Sequence, residues 1–149
     1  MRNKKLFTIG YENLNFDQFE NKLKKASIKI LVDVRDYPKS RKKGYSKSEL
    51  EKKFSNNGIK YIHIKELGSP SDLRKKVRKD RKYEYFFRKY KEYLTHHEDS
   101  LSELADLIRS KKTCIFCYEE DYNFCHRKSI AAYLNAFSDG EFDIKHIWE

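Results

Sequence analysis

Ile28-Lys-Ile-Leu-Val-Asp-Val34 runs straight into Arg35. Its apolar, largely β-branched residues are nearly continuous, whereas a strand with one wet face would alternate polar and apolar positions. The stretch therefore reads as a central strand covered on both faces. Outward from it, short apolar runs recur at Leu6–Ile9, Ile59–Ile64, Thr113–Cys117 and Phe142–Ile147. Amphipathic stretches separate them. Asn15 and Asp17 supply cap chemistry for a helix with Phe16, Phe19 and Leu23 at helical spacing. Ser46 and Glu49 spell a capping box for a second helix to about Ser55, stopped by Asn56-Asn57-Gly58. Gly68 to Asp72 is a loop opening a basic helical region that reaches Thr95, and helices over Ser100–Arg109 and Cys125–Ala136 follow. Strands alternating with helices imply parallel neighbours, because parallel strands are joined only by crossovers of this length. The expectation is a single three-layer α/β domain over residues 1–149, with a mainly parallel sheet of about five strands, helices on both faces, and a basic helical insertion at about 72–96.

Composition narrows the classes of function. The 149 residues include 33 Lys and Arg against 23 Asp and Glu, a net charge of +10, and three cysteines. Leu, Ile, Val and Phe make up about 24% of the chain, above the ~20% below which chains stay disordered. A chain of this length buries roughly 70% of its surface on folding, so a core is expected without disulfide or metal staples. No apolar run approaches the ~18 residues that span a bilayer, and Met1 to Gly10 lacks the apolar stretch and cleavage site of a signal peptide. No membrane partner and a cytoplasmic location are expected. Three widely placed cysteines make no disulfide framework and read as reduced thiols.

The charge is segregated. Lys39–Lys53 carries +5 and Arg74–Glu92 carries +7, while the other 115 residues sum to −2. Blocks of one sign on a near-neutral body suit a polyanion such as nucleic acid. Candidate contacts are Lys39, Lys42, Lys43, Lys75, Lys76, Arg78, Lys79 and Arg81; the alternative is a merely solvated helix. Tyr83, Phe86, Phe87, Tyr90 and Leu94 keep helical spacing and should pack inward, leaving Tyr85 and Tyr93 to stack on bases. The sequence carries no signal of oligomeric state.

In open parallel sheets, ligands bind beyond the carboxyl ends of the strands, near where strand order reverses. Here those ends carry Gly10, Tyr11 and Glu12; Asp33 and Arg35; and the segment Cys117 to Arg127. A helix opening at Cys125, His126 and Arg127 would set backbone N–H groups and cations around a thiol, which favours the thiolate. Cys117 would be a resolving partner if its loop folds back. The competing reading is two small buried apolar groups. Cys114 and Cys117 spell CxxC, but a strand's period of two sends them to opposite faces. A zinc site from Cys117, Cys125 and His126 with His63 or His146 lacks any paired-ligand spacing, so no metal is assigned and the cofactor stays open. Arg35, Arg41 and Arg127 suit a bidentate anion, the alternative being a salt bridge from Arg35 to Asp33 or Glu119. Glu12 and Glu119 are candidate proton carriers.

Several strings stand together in order: TIGYEN (8–13), LVDVRDYPKSR (31–41), the Tyr61 segment leading to ELG (66–68), and CYEEDYNFCHR (117–127). They resemble the domain of unknown function 488 family, over about Phe7–Ile147. The resemblance implies a small α/β domain with no settled reaction. Its marked positions would be Thr8, Gly10, Tyr11, Arg35, Pro38, Arg41, Gly68, Cys117, Glu119, Cys125, His126 and Arg127. Family members commonly show His after TIG where this chain has Tyr11. A fainter similarity is to rhodanese-type sulfurtransferases, which share a VDVR-like strand and a strand-terminal Cys. Their short loop of N–H groups around the sulfur contrasts with the longer, acidic stretch after Cys117.

The leading expectation is an enzyme with a rim pocket for a phosphate-bearing substrate such as a nucleotide or nucleic acid. Arg35, Arg41 and Arg127 would hold the anion, His126 or Glu119 would move protons, and Cys125 or Cys117 would be nucleophile or redox pair. The alternatives are a non-catalytic nucleic-acid-binding module and a rhodanese-like redox or sulfur-transfer protein.

Overall fold

Leu31 and Val32 are fully buried at the middle of a strand, β2 (Ile30–Asp33), flanked on both sides by parallel partners. The computed structural model describes residues 4–147, so residues 1–3 and 148–149 of the expected domain lie outside the described residues. The other strands are β1 (Lys4–Gly10), β3 (Lys60–His63), β4 (Thr113–Cys117) and β5 (Phe142–His146). They form one parallel sheet in the order β3-β2-β4-β1-β5. All five residues of β4 are buried, as its place in the middle requires.

The period of two sorts side chains between two cores. Val32, Val34, Ile115 and Cys117 face one layer, and Leu31, Cys114 and Phe116 face the other. The second layer is α1 (Phe16–Lys25) and α2 (Lys47–Phe54), which sink Phe19, Leu23, Leu50 and Phe54. Each starts where capping chemistry expects it: Asn15 accepts from the Gln18 N–H at 2.9 Å, and Ser46 pairs with Glu49 in a capping box. The first layer is built from α4 (Tyr83–Thr95), α5 (Glu98–Ser110) and α6 (Arg127–Phe137). This is the three-layer α/β arrangement.

Two boundaries differ from the sequence reading. The basic region is not one helix: α3 (Ser71–Asp80) and α4 are separated at Arg81, which takes the left-handed conformation at φ 57°. Asp80 closes the break by accepting from the Lys82 N–H and from Lys76 Nζ. The two helices also differ in depth, since α4 buries Phe86, Tyr90 and Leu94 whereas α3 buries no residue fully. Second, α6 starts at Arg127 with His126 as N-cap, so Cys125 is not in its first turn. A 3-10 turn at Tyr122–Phe124, capped by Asp121, uses the preceding residues and leaves Cys125 extended.

From β1 the chain crosses to β2 and skips a place that β4 later fills, then leaves β4 for the far side of β1. The carboxyl ends of β1, β4 and β2 therefore lie side by side, with crossovers departing in opposite directions, where such sheets place ligands. Among the described residues no helix is long and apolar enough to cross a membrane.

The β5 edge carries a pH-sensitive contact. His146 meets Thr8 Oγ1 through Nδ1 at 2.5 Å and stacks on Tyr122 with ring centroids 3.5 Å apart. Burial, with the Arg127 charge adding to it, pushes the His146 pKa down to about 4. An unfolded histidine titrates near 6.5. The neutral ring's contribution is therefore complete above about pH 6.5 and is lost as pH falls toward 4. Unfolding free energies measured across that window should drop by about 1–2 kcal/mol more in the wild type than in His146→Gln, the figure discounted for a half-exposed ring.

Candidate active site

The rim is organised by a buried ion pair. Asp33 is fully buried at the end of β2, and Arg35 turns back to grip it through Nε at 2.8 Å and Nη2 at 2.7 Å. The third nitrogen, Nη1, donates to Tyr11 OH at 3.0 Å, and Tyr61 OH donates to Asp33 Oδ2, the oxygen that Nη2 also holds. The guanidinium also lies 5.0 Å from the Phe116 ring centroid. Although burial opposes its charge, the Asp33 carboxylate raises the Arg35 pKa further above its usual range.

Beside this pair sits a group of reactive types. The fold returns the segment after β4 so that Cys117 Sγ and Cys125 Sγ meet at disulfide-bonding distance rather than standing apart as the separate reduced thiols expected, each residue 1% exposed. Cys117 Sγ lies 3.4 Å from Glu119 Oε2, and Arg127 Nε donates to Cys125 Sγ at 3.3 Å. His126 bonds the Val34 carbonyl oxygen through Nε2 at 2.5 Å. A carbonyl only accepts, so Nε2 carries the proton and the bare Nδ1, 3.7 Å from Cys125 Sγ, is an acceptor. Burial lowers the His126 pKa to about 4, holding the ring neutral, and raises that of Glu119 above the usual carboxylate range. Cys114 lies apart on the other face of β4 as a free, fully buried thiol.

Above the group opens a cleft of about 360 Å³. Arg41, Arg74, Arg78 and Lys39 line it, from the loop after β2 and from α3. Tyr37, Tyr118 and Phe124 line it too, exposed by 61%, 47% and 50%; they are three of the four exposed large hydrophobic side chains among the described residues. Cys117, Glu119, Cys125 and His126 form part of its wall. A hollow of about 610 Å³ lies at the opposite ends of the strands, by Ile30 and Lys60, but no cysteine, histidine or arginine lines it among the described residues. Two glycines make the rim possible. A Cβ on Gly10 would lie 1.7 Å from the Glu119 carbonyl oxygen, and one on Gly68 2.1 Å from the Asp36 nitrogen. Both loops close on backbone that only glycine admits.

The profile of the family described as Domain of unknown function DUF488 matches residues 15–134. The chain belongs to this family. No curated protein and no solved structure matches it. The matched span holds both arms of this DUF488 cleft, Arg35 to Arg41 and Cys117 to Arg127, while Thr8 to Glu12 precede it.

The DUF488 fold separates the residues singled out in the sequence. Tyr11, Arg35, Lys39, Arg41, Arg78, Cys117, Glu119, Cys125 and His126 line one cleft. Arg127 does not: it is 1% exposed beneath Cys125, its donors directed at Thr8 Oγ1 and the Glu119 and Glu120 carbonyls. Burial lowers its pKa to about 10. Arg35 and Arg127 therefore do not converge on one anion, and Arg35 takes the salt-bridge alternative with Asp33. Thr8 is buried under the site, and Glu12 ties loops together by accepting from the Glu120 N–H at 3.1 Å. Lys42 Nζ donates to the Glu12 carbonyl, and Lys43 is exposed outside the cleft. Lys75, Lys76 and Lys79 lie on α3 away from the cleft, and Arg81 marks the break after it. Tyr85 carries Lys76, Arg88 and Lys89 over its ring, whereas Tyr93 packs between Tyr90 and His97.

Sequence reasoning passed over Arg74, Tyr37, Tyr118 and Phe124 as cleft residues. The i, i+4 spacing of Arg74 with Arg78 was the available signal, because it puts both on one face of α3.

The two kinds of arginine should separate in stability measurements. Asp33→Asn leaves the Arg35 charge buried without its anion and should cost about 3–5 kcal/mol in urea unfolding. Arg41→Ala, at an exposed position, should stay within about 0.5 kcal/mol of wild type.

Proposed function

We propose that this protein is an enzyme acting on a phosphate-bearing substrate, a nucleotide or nucleic acid, in the cleft at the carboxyl rim of the sheet. The observation that carries the reading is the lining of that cleft. Three exposed aromatic rings, Tyr37, Tyr118 and Phe124, share one hollow with Arg41, Arg74, Arg78 and Lys39. Exposed rings offer faces on which bases stack, and guanidinium groups recognise phosphate oxygens in bidentate fashion. A reactive group, Cys117, Glu119, Cys125 and His126, lies against the same hollow, which a module that only binds has no need of. Glu119 is placed to move a proton to or from a bound ligand. The outer lysines of α3 and the Tyr85 surface would draw a longer strand toward the cleft.

The sulfur-transfer alternative asks for a cradle of N–H groups around one sulfur. Instead the Glu119 carboxylate meets Cys117 Sγ, and the Arg127 guanidinium and His126 ring meet Cys125 Sγ.

Binding of a fluorescent single-stranded oligonucleotide over a salt series tests the reading. Affinity should fall steeply with salt. Arg74→Glu with Arg78→Glu should lower it at least about tenfold and flatten the slope by about 0.7 for each phosphate no longer neutralised. Lys75→Glu with Lys79→Glu, on the outer side of α3, should do less. Absence of binding at low salt, or equally weakened binding by both pairs, contradicts the cleft as the site. Unchanged binding alongside abolished turnover in Glu119→Gln separates the enzyme from a binding module.

A further inference from the structure

The geometry points to Cys117, Cys125 and His126 as the protein ligands of a divalent zinc ion whose open coordination position faces the cleft. Their donor atoms all lie within 4.8 Å of one another, and all three residues are buried. Zinc takes thiolate and imidazole ligands, and three protein ligands with one open position are the arrangement of catalytic rather than structural zinc. The sequence spacing hides this set, because Cys117 ends a strand and the other two stand eight and nine residues later, beyond a 3-10 turn.

Three further features fit a metal rather than a disulfide or two idle thiols. First, His126 is oriented as metal-bound histidines are: its Nε2–H is fixed on the Val34 carbonyl, which aims the bare Nδ1 at the sulfurs. Second, Arg127 is a buried guanidinium that makes no salt bridge among the described residues, and its Nε donates to Cys125 Sγ. A cation out of water needs an anion, and a Cys125 thiolate supplies one. Third, the Cα atoms of Cys117 and Cys125 are 7.7 Å apart. A disulfide spans roughly 4.4–6.8 Å between Cα atoms; the wider gap here leaves room for the two sulfurs, once reduced, to part around one ion.

With Cys117 and Cys125 first reduced by an external thiol such as glutathione, which takes the disulfide's place by being oxidised itself, zinc binding would release the two thiol protons to solvent. Glu119, whose Oε2 lies 3.4 Å from Cys117 Sγ, sits at the open side of the site. A zinc ion there would polarise a phosphate oxygen or activate a water. That role rests on the function proposed above; the metal site itself does not.

Metal analysis of the protein purified without chelator, with intact mass under non-reducing conditions, provides the test. Wild type should carry equimolar zinc. After zinc removal under reducing conditions, it should take up cobalt with a thiolate-to-cobalt charge-transfer band. Cys125→Ser and His126→Gln should weaken zinc binding at least about a hundredfold, and Cys114→Ala should bind as wild type does. A reduced wild type that takes up neither zinc nor cobalt overturns the site, as does a metal-free protein two hydrogens lighter from a Cys117–Cys125 disulfide. The wild-type spectrum decides even where a ligand variant does not fold. No nucleotide enters these measurements, so a protein that binds metal but no oligonucleotide refutes only the substrate reading, and the reverse result refutes only the metal.

Discussion

The rim of this sheet hangs on Asp33, Val34 and Arg35, where its central apolar run ends. Asp33 and Arg35 neutralise each other out of water, and that pair fixes where the chain can go next. The backbone between and beside them is shared out to neighbouring elements: the Ile64 N–H donates to the Asp33 carbonyl at 3.1 Å, and the Val34 N–H to the Phe116 carbonyl at 3.3 Å. His126 takes the Val34 carbonyl, and His63 bonds the Arg35 carbonyl through Nε2. A buried ion pair adds little net stability, since desolvation offsets its attraction, but it is costly to break and fixes geometry. Here it positions β3, β4 and the segment before α6 around one point.

That pair also divides the arginines by role. Arg35 and Arg127 are both buried and serve the protein: one balances Asp33, and the other leans on a sulfur. Arg41 and Arg78 stand at the mouth, exposed and spaced by the loop after β2 and by α3. The +10 net charge is thus not one property. Part lines a cleft, part ties loops together, as Lys42 does on the Glu12 carbonyl, and part coats the outside of α3. The outside charge acts over about a Debye length, roughly 8–10 Å in physiological salt, so it brings a polyanion near without selecting it.

The sheet was legible because its signal is local. A continuous run such as ILVDV, or TCIFC with alternate residues bound for opposite faces, carries its burial in its own order, and the capping boxes at Asn15 and Ser46 need only four residues each. The site was legible in outline for a related reason: strand ends lie at the rim whatever the strand order. Two features were not legible. The break at Arg81 depends on Asp80 closing a turn and on α4 sinking deeper than α3, which is a matter of packing. The grouping of Cys117 with Cys125 and His126, and the burial of Arg127 below them, depend on how the return between β4 and α6, residues 118–126, folds over Gly10. No spacing rule encodes that path.

Whether the rim cleft receives a phosphate ester is addressed most directly by a crystal structure with a bound nucleoside monophosphate. The phosphate should lie among Arg41, Arg74 and Arg78, and the base against one or more of Tyr37, Tyr118 and Phe124, within reach of Glu119. A nucleotide seated instead on the outer face of α3 or on Tyr85, with the cleft empty, would contradict a catalytic rim.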